Sequence, residues 1–202
     1  MEVRNTKQAI IEASLSLFSK QGFEATSISQ IAEAVGIKKA SLYSHFSSKQ
    51  AILDSLIDMV LTEYDKHSLF VRADWKKDAS LIPHTADEAV LMIQEQMRFI
   101  IHNPTISKAR KMLIIEQFQN PKLAQLQTKQ NYTDVLNYFR DLIKQMIKQN
   151  VLKDEDPEVM AAQFCLPISV WINLCDRQQE NEQEVMQLVE KHIKQFFKLY
   201  QP

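Results

Sequence analysis

The stretch that decides the fold is TSISQIAEAVGIKKASLYSHF, residues 26–46. Ser27 followed by Gln30 is a capping-box pattern, and it opens a short helix. Ile28, Ile31, Ala32 and Val35 recur within it at helical spacing. Gly36 ends that helix, because a tight turn needs the positive φ that glycine adopts without strain. A second short helix begins about Lys38 and runs to about Phe46. Two short helices joined at Gly36-Ile37-Lys38 have the spacing of a helix-turn-helix. Ile31, Ala32, Ile37 and Leu42 can bury between them, which leaves Lys39, Ala40, Ser41, Tyr43 and Ser44 facing outward. Short side chains on that face let the backbone approach the floor of a DNA major groove.

Helix signals continue on both sides. Upstream, Asn5 and Gln8 repeat the capping box, and Ile10, Ala13, Ser14, Leu17 and Phe18 share one face. Gly22 stops this helix, and Phe23 can pack back over its last turn. Downstream, Ser47 with Gln50 caps a fourth helix carrying Leu53, Leu56, Val60, Leu61 and Tyr64. Residues 67–84 lose the periodicity and read as a loop or broken helix. Thr85 with Glu88 opens a helix over 86–102. Three Asn/Asp-Pro steps then start helices over 104–118, 121–150 and 157–176, since proline fits the first helical turn. A last helix covers 181–200. The expected fold is all-α with about nine helices: a helix-turn-helix domain over 1–47 and a helical regulatory and dimerisation domain over 48–202.

Composition excludes other classes. Only two glycines occur in 202 residues, where average usage predicts about 14; Rossmann folds, P-loop enzymes and β-sandwiches need more. Cys165 and Cys175 form no C-x-x-C pair and read as buried small hydrophobes. The five histidines lack metal-ligand spacing, no nucleophile elbow is present, and Asp154-Glu155-Asp156 reads as helix N-terminal charge. No catalytic residue, metal or cofactor is expected. Polar residues Met1 to Lys7 give no signal peptide, and no apolar run reaches the roughly 18 residues that span a bilayer, so a cytoplasmic protein without membrane contact is expected. Residues 1–50 carry six Lys/Arg and four Glu, which leaves 18 basic and 21 acidic residues for the remainder. Between Glu33 and Asp54 there is no acid, but there are Lys38, Lys39, His45 and Lys49. A local basic face on a chain of net charge −1 is an electrostatic footprint for nucleic acid.

The run Ile10, Ala13, Leu17-Phe18, Gly22-Phe23, Thr26-Ser27-Ile28, Ile31-Ala32, Gly36-Ile37, Leu42-Tyr43, His45-Phe46 and Ser48-Lys49 resembles the DNA-binding domain of the TetR family of bacterial transcriptional regulators. The resemblance implies site residues. Thr26 and Ser27, opening the first helix of the motif, suit a phosphate. Lys39, Ala40 and Tyr43 occupy positions that face base edges. Ser41, Tyr43 and His45 match phosphate contacts, as does Lys49 at the start of the fourth helix, and Lys38 adds charge beside them. Ala40 stands where the family often has glycine or proline, and Gln50 where it often has Glu.

The rest of the chain resembles no particular subfamily. The last two helices of such proteins usually pair with their copies, so Phe164, Ile168, Leu188, Val189, His192 and Phe196 are candidate homodimer residues. Two reading heads would then enter successive major grooves about 34–36 Å apart, on a near-palindromic double-stranded DNA operator. Pro167 should kink its helix and free the carbonyl of Gln163. Candidate pocket residues for a small-molecule inducer are Met97, Phe118, Tyr138, Phe139, Cys165 and Trp171, whose apolar and aromatic character suits an apolar or aromatic ligand. The expected function is a repressor released by such a ligand. The alternative is a DNA-binding protein whose C-terminal domain binds a protein partner.

Overall fold

The structure is a computed structural model that describes residues 6–72, 75 and 77–202. Among the described residues it is helical without strands. The elements are α1 (Thr6–Gln21), α2 (Ile28–Val35), α3 (Lys39–Tyr43), α4 (Lys49–His67), the single turn α5 (Leu69–Arg72), α6 (Ala86–His102), α7 (Pro104–Glu116), α8 (Pro121–Thr128), α9 (Asp134–Lys148), α10 (Pro157–Arg177) and α11 (Glu182–Leu199). The nine expected helices are present, with two differences. A single turn and a short 3₁₀ turn at Ala79–Leu81 occupy the aperiodic stretch. The long helix expected over 121–150 is interrupted by a π turn at Lys129–Thr133.

Several caps act as their sequences dictate. Ser27 Oγ accepts the Gln30 N–H while the Gln30 side chain accepts the Ser27 N–H, the full capping box. Thr85 caps α6, Asn120 accepts the Lys122 and Leu123 N–H groups, and Asp156 accepts those of Glu158 and Val159. The cap of α4 is Ser48 instead of Ser47: its Oγ accepts the Ala51 N–H at 3.1 Å, and Gln50 bonds Asp54 farther along the helix. The expected cap at Asn5 lies outside the described residues.

The chain forms two compact units, and the boundary is not at residue 47. The first contains residues up to Asp65 together with Pro104–Leu126; the second contains Lys66–Asn103 and Gln127–Pro202. The reason is packing. Ile52, Leu53, Leu56 and Ile57 of α4, with Ala109, Met112 and Leu113 of α7 and Leu123 of α8, share one core with Ile10, Phe18, Ile31 and Leu42. A three-helix motif of 47 residues has too little interior of its own, and α4, α7 and α8 supply the rest.

The second unit is built around aromatic rings. Phe139 and Phe164 lie 5.1 Å apart, Phe164 and Phe196 5.0 Å, and Phe70 stacks on Tyr138 at 4.5 Å. By length and hydropathy α10 is the one described helix apolar enough to cross a bilayer; Met160, Phe164, Cys165, Ile168 and Cys175 on it are core of this unit, while Val159, Leu166 and Val170 are exposed.

Candidate nucleic-acid interface

The interface is built on the short helix α3. Leu42 is its anchor, fully buried among Ile31, Ala32 and Phe46. Anchoring one residue of a five-residue helix fixes which others face outward. Lys38, Lys39, Ala40, Ser41, Tyr43 and His45 are all exposed, and Tyr43 stands about half out of the surface (47%). The result is a narrow face of two ammonium groups, an imidazole, a phenol and small side chains. The two turns that hold α2 set its position. At the second turn, Gly36 has φ +76°, and the Ile37 and Gly36 N–H groups bond the carbonyls of Ala32 and Glu33. This is the 6→1, 5→2 pattern of a Schellman turn, and it is made entirely from local backbone.

Ser27 is exposed at the N-terminus of α2 and can meet a phosphate there. Thr26 cannot do so as expected. It is 1% exposed, its hydroxyl donates to the Gly22 carbonyl at 2.7 Å, and it accepts from Gln21 Nε2. Its polar atoms are committed to the turn before α2.

Lys49 is also turned inward. Its Nζ lies 2.7 Å from the Phe23 carbonyl, 3.2 Å from that of Glu24 and 3.1 Å from that of Thr26, and sits 4.3 Å over the Phe23 ring. An ammonium has three N–H donors, and three carbonyls take them. On the other side of the same turn, the Phe23 and Glu24 N–H groups donate to Glu116 Oε1 at 2.7 and 3.4 Å. Glu116 ends α7 and is 2% exposed. Sequence reasoning missed it: 93 residues separate it from Phe23, and a lone Glu at a helix end carries no local sign of burial.

In the second unit, the residues expected to line a ligand pocket are mostly core. Met97, Phe139 and Cys165 are buried, and burial pushes the Cys165 thiol up to about 11, which keeps it protonated at neutral pH. Tyr138 and Trp171 are half-buried. Phe118 belongs to the first unit and is 91% exposed, so it is not part of this group. A void of about 10 Å³ lies among Met92, Phe139, Leu142, Met146, Phe164 and Phe196, room for one water at most.

Of the residues expected at a dimer face, Phe164, Ile168, Val189 and Phe196 are buried inside their own unit. Leu188 is partly exposed and His192 half-buried. The reason is that the apolar stripe of α11 packs on α10 and α6 within the unit, so those side chains are already covered. The exposed apolar residues of α10 are instead Val159, Leu166 and Val170 (65% exposed for the last), at helical spacing. Pro167 lies inside α10, and His192 Nε2 is 2.9 Å from the carbonyl of Phe164, next in sequence to the expected Gln163.

A helix-turn-helix whose exposed face is cationic and free of acids, on a chain that is helical without strands among the described residues, defines a DNA-binding regulator. The chain matches the model for bacterial regulatory proteins of the TetR family over residues 10–56 and that for the AefR-like transcriptional repressor C-terminal domain over 88–202, more than half its length. It belongs to the TetR family, whose regulators bind DNA, dimerise and are not enzymes. Among curated relatives it is 45% identical over 51 residues to IcaR of Staphylococcus aureus (strain Newman), a negative regulator of the icaADBC biofilm operon. That match covers 25% of this chain and 27% of IcaR, so about a quarter of each is shared. Among solved structures it resembles the flavonoid-responsive regulator FrrA, with TM-score 0.62, 25% identity, and 98% and 97% of the two chains covered. A TetR-family structure from Mesorhizobium loti aligns over the whole of both chains with TM-score 0.69 and 15% identity, which speaks for the fold.

Proposed function

We propose that this protein is a repressor that binds a near-palindromic operator as a homodimer and leaves it when an apolar or aromatic small molecule binds. The observation that carries the DNA part is the exposed face of α3, with Lys38, Lys39, Ala40, Ser41, Tyr43 and His45 presented together around a buried Leu42. Lys39, Ala40 and Tyr43 read base edges; Ser41, Tyr43, His45, Lys38 and the N-terminus of α2 at Ser27 hold phosphates. Val159, Leu166 and Val170 on α10, with Leu188 on α11, form the dimer seam. The wholly apolar lining of the void supports an uncharged ligand, and the response named for FrrA supports an aromatic one. The void is far smaller than such a molecule, so the ligand binds a conformer in which the rings have parted. It withdraws population from the DNA-binding conformer by its preference for that state. Repression follows the role named for IcaR, and such a regulator works in the cytoplasm.

The test is selection of bound sequences from random duplex DNA at about physiological salt. An enriched near-palindrome is expected, and Tyr43→Ala should abolish binding while the dimer stays folded. A folded dimer that enriches nothing would count against the DNA reading, and a Tyr43→Ala protein that binds normally would displace the reading face from α3.

A further inference from the structure

The turn Gly22–Thr26 leads directly into α2, and it is held by bonds to both faces of its backbone. Every carbonyl from Gly22 to Thr26 accepts a hydrogen bond: Gly22 from the Thr26 hydroxyl, Ala25 from Gln21, and Phe23, Glu24 and Thr26 from the one ammonium of Lys49. The opposite face of the same peptides, the N–H groups of Phe23 and Glu24, is taken by the buried carboxylate of Glu116. Gly22, with φ +87°, leaves the space that Glu116 Oε1 fills.

We infer that Lys49 and Glu116 are positioning residues for the reading head: a charged clamp that fixes the turn entering α2 and, through it, the angle at which α3 meets DNA. Lys49 is therefore not a phosphate contact. The inference rests on the DNA-binding reading of α3 and adds two residues that do not touch DNA. Charge alone does not make this clamp. Three carbonyls converge on one nitrogen, which suits the compact ammonium of lysine and not the planar, spread donors of arginine. A phosphate, by contrast, accepts either side chain and takes arginine well.

The experiment measures affinity against salt for two duplexes, the one enriched by the wild-type chain and a shuffled control, with variants K49Q, K49R, E116L, E116Q and K38Q. Losing a phosphate contact flattens the slope of log affinity on log salt by about 0.9 per contact. K38Q, at a phosphate-holding lysine, should flatten it. K49Q and K49R should each weaken the selected duplex tenfold or more, leave the shuffled duplex within twofold, and keep the wild-type slope. E116L should behave as K49Q does. E116Q should stay within threefold of wild type, because an amide oxygen still accepts from Phe23. K49R preserves the charge, so it separates the two roles even if K49Q folds poorly. Wild-type affinity in K49R with a flattened slope in K49Q would make Lys49 a phosphate contact and overturn the inference. Unchanged specific binding in K49R and E116L would overturn it as well. A wild-type chain that binds no duplex in a salt-dependent way would remove the DNA reading beneath it, which is a separate failure.

Discussion

Two glycine turns bracket α2, and they look alike in sequence but not in space. Both have positive φ, +87° at Gly22 and +76° at Gly36. The Gly36 turn closes with backbone bonds reaching no more than five residues, and a Cβ added there would meet nothing within 4 Å. The Gly22 turn is held by side chains 26 and 93 residues away in the chain, and a Cβ there would collide with Glu116 Oε1 and press on Ile115. The same residue type thus serves two physical ends. At Gly36 glycine relieves backbone strain. At Gly22 it also clears room for another helix.

The largest effect that can break this comparison is Gly22→Ala. Left-handed φ costs an alanine about 1–2 kcal/mol, and the collision with a buried, hydrogen-bonded carboxylate should raise the total to about 3 kcal/mol or more. Gly36→Ala should carry the φ cost alone, about 1 kcal/mol. Urea unfolding of the two variants measures the difference directly; equal losses would mean that Glu116 moves aside freely and the turns are equivalent after all. Ser27→Ala sharpens the comparison from the far side of the first turn. It removes the capping box of α2 and should cost about 1 kcal/mol, and its loss should add to that of Gly36→Ala, since their bonds are separate.

The smallest effect concerns another long-range grip in the same unit, between Lys122 Nζ on α8 and Asp54 Oδ1 on α4 at 2.6 Å. The Lys122 hydrogen bond, helped by Gln50, holds the Asp54 carboxyl below its ordinary 3.8. A carboxylate with a lowered folded pKa stabilises fully above its unfolded value and loses that contribution as pH falls through the folded value. Both side chains are about half exposed, so water screens the pair and its contribution is a few tenths of a kcal/mol. Asp54→Asn should therefore be slightly less stable than wild type at pH 7, and the gap should close as pH falls through the lowered pKa of Asp54. A gap as large as that of Ser27→Ala, or one independent of pH, would show that this grip is not electrostatic.

Legibility divides along the same line. The helix-turn-helix was readable because its signals are local: a capping box spanning four residues, a glycine stop, apolar positions at helical spacing. For the same reason the exposed set on α3 could be chosen in advance from Leu42 alone. The motif positions of Thr26 and Lys49 point to contact with DNA, and the structure turns both inward. The dimer and pocket sets suffered from a different ambiguity. An apolar stripe says that a face is covered, not by what, and in α11 the cover is α10 and α6 of the same unit. The π turn at Lys129–Thr133 left no mark, because no proline or glycine interrupts residues 122–148.

The amino-acid sequence by itself determined the helical class, the order and caps of most helices, and the exposed face of α3, since all of these depend on interactions within a few residues. Only the tertiary structure decided that α4, α7 and α8 complete the core of the reading head, that Glu116 and Lys49 grip the turn into α2, and which apolar residues of α10 stay uncovered. Those outcomes depend on which surfaces meet across tens of residues. Hydrophobic burial is non-directional, so a residue's polarity can announce that it will be covered but cannot name its partner.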